Sequence, residues 1–324
     1  RRALELVDRI AAGADPHAGY DVDAHHALAR EAAGRSIVLL RNDGDVLPLD
    51  PSGSASIAVI GEFARTPRYQ GAGSSLINPT RLDSALDEIR AVAGDRVSFS
   101  AGFALAGAPA TADIEVLHDE AVATAAGSDV VVLFLGLPAE EESEGFDRTH
   151  LDLPEEQTAL LEAVLAVNAN VVVVLSNGGV VRTAGWQDRV PAIVEGWLLG
   201  QAGGGAVGDV LFGAVNPSGR LTETIPVPGE FGHVRYGEDI FVGYRGFDAR
   251  GTEVSFPFGH GLSYTTFSYG DLTVSEHEGG ARVSVAITNT GTRDGREIVQ
   301  VYTSLPGSAV SRAPRALAAF GVAD

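Results

Sequence analysis

The densest run of groups able to move a proton is Glu140-Glu141-Glu142-Ser143-Glu144-Gly145-Phe146-Asp147-Arg148, in the loop directly after the apolar stretch 130–135 and Gly136. Crowded carboxylates raise one another's pKa, and a Glu among apolar neighbours keeps its proton toward neutral pH, so this segment has the makings of a general acid. The alternatives are a solvated acidic loop and, for Asp147 and Arg148, a local ion pair that fixes it. A second stretch, Gly71-Ala72-Gly73-Ser74-Ser75, could turn successive backbone N–H groups toward an anion or a hydroxyl-rich ligand, or be a plain flexible loop. A third, Gly203-Gly204-Gly205-Ala206-Val207-Gly208, matches the G-x-G-x-x-G pattern of dinucleotide-binding turns. Its context argues against that role. The preceding strand ends near Trp197, too early for a tight phosphate turn; no following strand carries an acidic residue about 20 positions on; and the unit closes the sheet instead of opening it. A glycine-rich helix start that packs closely is the better reading.

Other chemistries lack their parts. No Gly-x-Ser-x-Gly elbow is present, which disfavours an α/β serine hydrolase. The 8 His show no H-E-x-x-H spacing, and adjacent His25 and His26 diverge by about 100° on a helix. Cys 0 removes disulfides, thiolate metal sites and cysteine nucleophiles. Neither a metal nor a cofactor is expected.

The elements that must position the acidic run alternate. Ile57-Ala58-Val59-Ile60, Val97-Ser98-Phe99, Val130 to Leu135, Val171 to Leu175 and Ile193 to Trp197 read as strands. Helical spacing over 82–92, 114–125, 154–165 and 207–212 separates them, with Pro154, Glu155 and Glu156 suited to a helix start. Strands that are apolar throughout are buried on both faces, so this is an α/β fold, a mostly parallel sheet sandwiched by helices. Its working residues belong at the carboxyl ends of the strands, in the loops after Ile60, Leu135, Leu175 and Trp197. After Asn216-Pro217-Ser218-Gly219 the pattern becomes Pro-, Gly- and aromatic-rich. The runs 283–287 and 297–302 then roughly alternate, as hairpin strands about the turn 289–295 of a partial antiparallel β-sandwich. The stretch 268–324 falls short of the roughly 100 residues of a complete immunoglobulin-like sandwich. At the front, 1–13 reads as a short amphipathic helix and 14–23 as a linker, while 25–42 is apolar enough for a helix whose last turns periodicity does not settle.

The chain has 324 residues, enough for more than one domain. Lys+Arg 23 against Asp+Glu 43 leaves a net charge of -20, which repels nucleic acid and anionic membrane surfaces. No apolar run reaches the roughly 18–20 residues of a membrane span. The chain starts at Arg1 and contains Met 0, as a segment of something longer would.

Several stretches, in order and over nearly the whole chain, resemble glycoside hydrolase family 3, the β-glucosidase and β-xylosidase family. They are Leu28-Ala29-Arg30-Glu31-Ala32-Ala33 with Ser36-Ile37-Val38-Leu39-Leu40-Arg41-Asn42, Val46-Leu47-Pro48-Leu49, and Glu144-Gly145-Phe146-Asp147-Arg148 with Leu151-Asp152-Leu153-Pro154. Asp209-Val210-Leu211-Phe212-Gly213, Asn216 to Leu221, and Phe256-Pro257-Phe258-Gly259-His260-Gly261-Leu262-Ser263-Tyr264 complete the set. The resemblance implies an upstream (β/α)8 barrel whose exit helix and linker are residues 1–23. It also implies an α/β sandwich over 24–267 and a truncated fibronectin type III-like domain over 268–324. It further implies hydrolysis of terminal nonreducing β-D-glucosyl residues, from β-glucosides or short β-linked oligosaccharides, with retention of configuration. In such a reaction a barrel Asp is the nucleophile and a Glu of this segment is the acid/base, the two carboxyl groups about 5–5.5 Å apart.

By the same resemblance the acid/base falls on Glu144, with Glu142 as the fallback. Gly73, Ser74 and Ser75 would border the substrate pocket, and 256–264 would buttress the barrel interface. Arg41, Val180 and Ala202 depart from the residues usual in the family, and none touches the acid. β-Xylosidase specificity and a noncatalytic carbohydrate-binding or scaffold module are the alternatives; a homo-oligomer is compatible with either.

Overall fold

The computed structural model describes residues 1–15, 17–107, 113–227 and 237–324. Helix α1 (Arg2–Gly13) buries none of its residues, although Leu4, Val7 and Ile10 stand at helical spacing. Helix α2 (Val22–Ser36) begins where the Asp21 carboxylate accepts the Ala24 N–H at 2.9 Å, satisfying a donor that has no partner within the helix. The apolar run after it is not a last helical turn. It forms strand β1 (Val38–Asn42), which joins the sheet through antiparallel pairing with a neighbour far along the chain. Periodicity within 25–42 carries no sign of that pairing.

From there strands and helices alternate as the sequence predicts: β2 (Ile57–Ile60), α3 (Ala85–Ala93), β3 (Val97–Ser100), α4 (Ile114–Ala126), β4 (Val130–Gly136), α5 (Glu155–Val167), β5 (Val171–Ser176), β6 (Ala192–Glu195) and α6 (Gly203–Leu211). The strands lie in the order β1-β6-β5-β4-β2-β3, parallel except where β1 meets β6. Every residue of β4 is buried, as is every residue of β5 but Ser176. This is the both-faces burial that their unbroken apolar sequence requires. Pro154 caps α5 rather than entering it.

Helix α6 starts earlier than the apolar spacing suggests, at Gly203. A side chain on Gly204 would collide with the backbone at 83–85, so the glycine run is a close-packing device. Across the same helices, Arg30 of α2 ties Asp209 of α6 at 2.6 Å and Glu88 of α3 at 2.9 Å.

Beyond the sheet, β7 (Ile225–Pro226), the short α7 (Tyr244–Arg250) and β8 (Val254–Phe256) occupy the aromatic-rich stretch, of which 228–236 lie outside the described residues. Then come β9 (Phe267–His277), β10 (Gly280–Asn289), β11 (Glu297–Thr303) and β12 (Ala316–Ala323). The antiparallel character is as expected, but β10 and β11 are not a hairpin. β10 pairs with β9 and β11 with β12, in separate two-stranded sheets. The turn between them is occupied elsewhere. Asn289 Oδ1 accepts from the Thr265 hydroxyl and the Gly291 N–H, its amide donates to the Arg293 carbonyl, and Asn216 reaches over to the Asp294 carbonyl at 2.9 Å. These bonds pin 289–294 against the α/β unit and carry the chain from one small sheet to the other.

Candidate active site

The carboxyl ends of β2, β4, β5 and β6 share one edge of the sheet, and the loops that leave them are stitched together there. Gly200 N–H, after β6, donates to the Tyr69 carbonyl at 2.8 Å. Arg68, in the loop after β2, sends Nε to the Leu137 carbonyl at 2.9 Å and Nη2 to the Glu142 carbonyl at 3.1 Å. Its third donor, Nη1, holds the Gln70 carbonyl at 2.8 Å within its own loop. A single parallel bridge, Ala72 to Ser143, joins the loop after β2 to the loop after β4.

At that bridge stands Glu144. Its N–H donates to the Ala72 carbonyl at 3.4 Å. Its Oε2 accepts both the Ser74 N–H, at 3.0 Å, and the Ser74 hydroxyl. Gly73 makes the approach feasible: its φ is +90°, and a Cβ there would sit 2.8 Å from the Glu144 Cβ. Of the three residues expected beside a ligand, Gly73 and Ser74 therefore meet Glu144. The Ser75 hydroxyl instead turns back to the Gly71 carbonyl at 3.1 Å. The backbone donor foreseen for an anion is used on this carboxylate. Glu144 is exposed, and so are Phe146, Leu76 and Ile77 on the same two loops.

Glu142, two residues earlier, is placed quite differently. Both of its oxygens face backbone, accepting the Gly178 N–H at 2.7 Å and the Gly179 N–H at 2.6 Å, and its side chain is 19% exposed. The ion pair weighed for Asp147 and Arg148 is not among those of the described residues. Arg148 turns inward instead, with Nη1 on the Val180 carbonyl at 2.8 Å. Its burial lowers its pKa, against the pull of Glu142, Glu141, Asp152 and Glu223.

Two acids beneath this surface escaped the sequence reading. Glu195, the last residue of β6, is fully buried, which pushes its carboxyl up to about 8 even though the Trp197 N–H and the Asn177 amide favour the charged form. Glu223 is pushed up as well, by burial and then by Glu142. The only trace of Glu195 in the sequence is an acid closing an otherwise apolar strand. The adjacent histidines diverge as expected: His25 stacks on Tyr20, whereas His26 is buried between Asp83 and Gln201 at 2.8 Å each.

An open, mostly parallel sheet with its loops gathered over the strand ends, and an exposed carboxyl held where two of them meet, is an α/β domain of the kind that meets its ligands at the carboxyl ends of its strands. The chain belongs to glycosyl hydrolase family 3: residues 37–264 match the Glycosyl hydrolase family 3 C-terminal domain. It is 48% identical to thermostable beta-glucosidase B of Acetivibrio thermocellus, over 98% of this chain and 44% of that protein. It is 50% identical to an exo-alpha-(1->6)-L-arabinopyranosidase of Bifidobacterium longum, over 91% of this chain and 41% of that one. The crystal structure of the Bifidobacterium adolescentis GH3 beta-glucosidase superposes with a TM-score of 0.89 at 49% identity, covering 99% of this chain and 48% of its own. The chain thus spans less than half the length of these relatives.

Proposed function

We propose that this segment is the acid/base half of a retaining β-glucosidase, with Glu144 as the group that protonates the glycosidic oxygen and then deprotonates the attacking water. In this reading a barrel preceding residue 24 supplies the nucleophilic Asp and most of the sugar subsites, residues 1–23 lead out of it, and 268–324 are part of a fibronectin type III-like domain. The observation that carries the reading is the contrast between two carboxylates of one loop. Glu144 is exposed and held through a single oxygen by Ser74, whereas both Glu142 oxygens are committed to backbone donors. A group that must donate a proton outward and take one back needs an oxygen free toward the substrate. Retention requires the second carboxyl about 5–5.5 Å away, so the barrel mouth must face this loop.

The test is Glu144→Ala in the intact enzyme. Cleavage of cellobiose, which must expel a sugar alkoxide, a poor leaving group, should fall about 10²–10⁴-fold, while activated aryl glucosides still glycosylate the enzyme because they need little protonation. Azide, which needs no general base, should restore turnover and yield a β-glycosyl azide. Equal losses on both substrate types with no azide product would sink the assignment. A relative at 50% identity is an arabinopyranosidase, so an aryl α-L-arabinopyranoside belongs in the same assay as the second glycone reading.

A further inference from the structure

We propose that Glu142 is a positioning residue for the acid/base step: its carboxylate clamps the loop after β4 to the turn after β5 and so fixes where Glu144 stands. The inference rests on the assignment of the acid to Glu144.

The clamp is built from both sides. Asn177, fully buried at the end of β5, folds its amide onto the Gly179 carbonyl at 3.0 Å and onto Glu195 at 3.3 Å. That turn presents two successive N–H groups, of Gly178 and Gly179, which receive one Glu142 oxygen each. Paired backbone donors of this kind grip a carboxylate in one orientation. A side chain on Gly178 would crowd the approach: its Cβ would lie 3.1 Å from Glu142 Oε2 and 3.0 Å from Leu198. Arg68 closes the arrangement by holding the Glu142 carbonyl and approaching Oε2 at 3.5 Å.

One residue, Ser143, separates the clamp from the acid, and it is the residue bridged to Ala72. Among the described residues, the Glu144 side chain is hydrogen-bonded only to Ser74 of the 71–75 loop, much of which is exposed. Without Glu142, the loops after β2 and β4 still hold each other but lose this anchor to the strand edge. The acid would then wander by an ångström or more, and displacement on that scale at a reacting centre costs about 10²-fold.

The experiment compares Glu142→Ala, Glu142→Gln, Glu144→Ala and the Glu142→Ala/Glu144→Ala double variant in the intact enzyme, with cellobiose and an activated aryl glucoside as substrates. Positioning predicts that Glu142→Ala loses about 10–100-fold on cellobiose and much less on aryl glucoside glycosylation. Glu142→Gln, which keeps one acceptor oxygen, should recover part of the loss. In the double variant, glycosylation by the aryl glucoside should match Glu144→Ala alone, since a clamp has nothing left to place. Amide exchange at Gly178 and Gly179 should accelerate in Glu142→Ala while the β4 and β5 amides stay protected, which separates loss of the clamp from loss of the fold. Equal losses on the two substrates, or additive losses in the double variant, would overturn the proposal and leave Glu142 as ordinary scaffolding. Azide rescue with β-glycosyl azide at Glu142→Ala, and none at Glu144→Ala, would instead overturn the assignment of the acid itself.

Discussion

Replacing Glu195 with Gln should flatten the fall of stability with pH. The carboxyl sits at the end of β6 with 1% exposure, and burial moves it from 4.5 to about 8. The unfolded chain gives up this proton near 4.5, whereas the folded protein keeps it until about 8. Between those values the folded state binds more protons, so the free energy of unfolding falls as pH rises and levels off above 8. At about 1.4 kcal/mol per pKa unit, this one group removes roughly 3 kcal/mol between pH 6 and pH 9. Gln carries no such titration. It still offers an oxygen to the Trp197 N–H, which Glu195 accepts at 2.9 Å, but places an amide NH₂ beside the Asn177 amide. That mismatch costs on the order of 1 kcal/mol at every pH.

The two stability curves should therefore cross: the variant weaker by about 1 kcal/mol below pH 4.5, where Glu195 keeps its proton in both states, and gaining roughly 3 kcal/mol on the wild type between pH 6 and pH 9. Urea unfolding followed at pH 6, 7, 8 and 9, with slopes compared so that only midpoints carry the difference, measures this directly. A gap that stays constant across the range would mean that Glu195 does not hold its proton in the folded state, and the account of the buried acids beneath the loops would fail with it.

Two further outcomes test the frame that holds the site. Leu133 lies in the middle of β4, wholly buried between Ile60 of β2 and Val173 of β5; Leu133→Ala should cost about 2–5 kcal/mol of stability, read as a lower urea midpoint with an unchanged slope. Gly73→Ala puts a Cβ 2.8 Å from the Glu144 Cβ at a φ of +90°, so cellobiose turnover in the intact enzyme should drop at least tenfold while global stability changes by only about 1–2 kcal/mol. A turnover loss no larger than that of Ser75→Ala, whose hydroxyl only closes its own turn, would show that the glycine has no special part in placing the acid.

The strands of the central sheet are legible because hydrophobic burial writes them directly: β4 and β5 have almost nothing but apolar residues to offer. What the sequence leaves open is set by partners that are distant along the chain. β1 becomes a strand because β6 accepts it at the sheet edge, through pairs such as Val38 with Glu195. β10 and β11 look like hairpin strands until Thr265 and Asn216 occupy the turn between them.

The same holds for the site. The loop after β4 is predictable from the rule that parallel sheets work at their carboxyl ends, and the 71–75 loop is visible from its glycines and serines. Yet Glu140, Glu141, Glu142 and Glu144 are chemically one residue type in one run, and apart from the family resemblance carried by Glu144-Gly145-Phe146-Asp147-Arg148 nothing local ranks them. Glu142 and Glu144 part company through donors 36 residues downstream, at Gly178, and 70 residues upstream, at Ser74. A carboxylate that meets two backbone N–H groups is fixed in place, while one that meets a single serine on an exposed loop keeps an oxygen for other work. Which of these a glutamate becomes is decided by the turns that the sheet brings to its edge, so the acid/base reading of Glu144 depends as much on Gly178, Gly179 and Ser74 as on the glutamate itself.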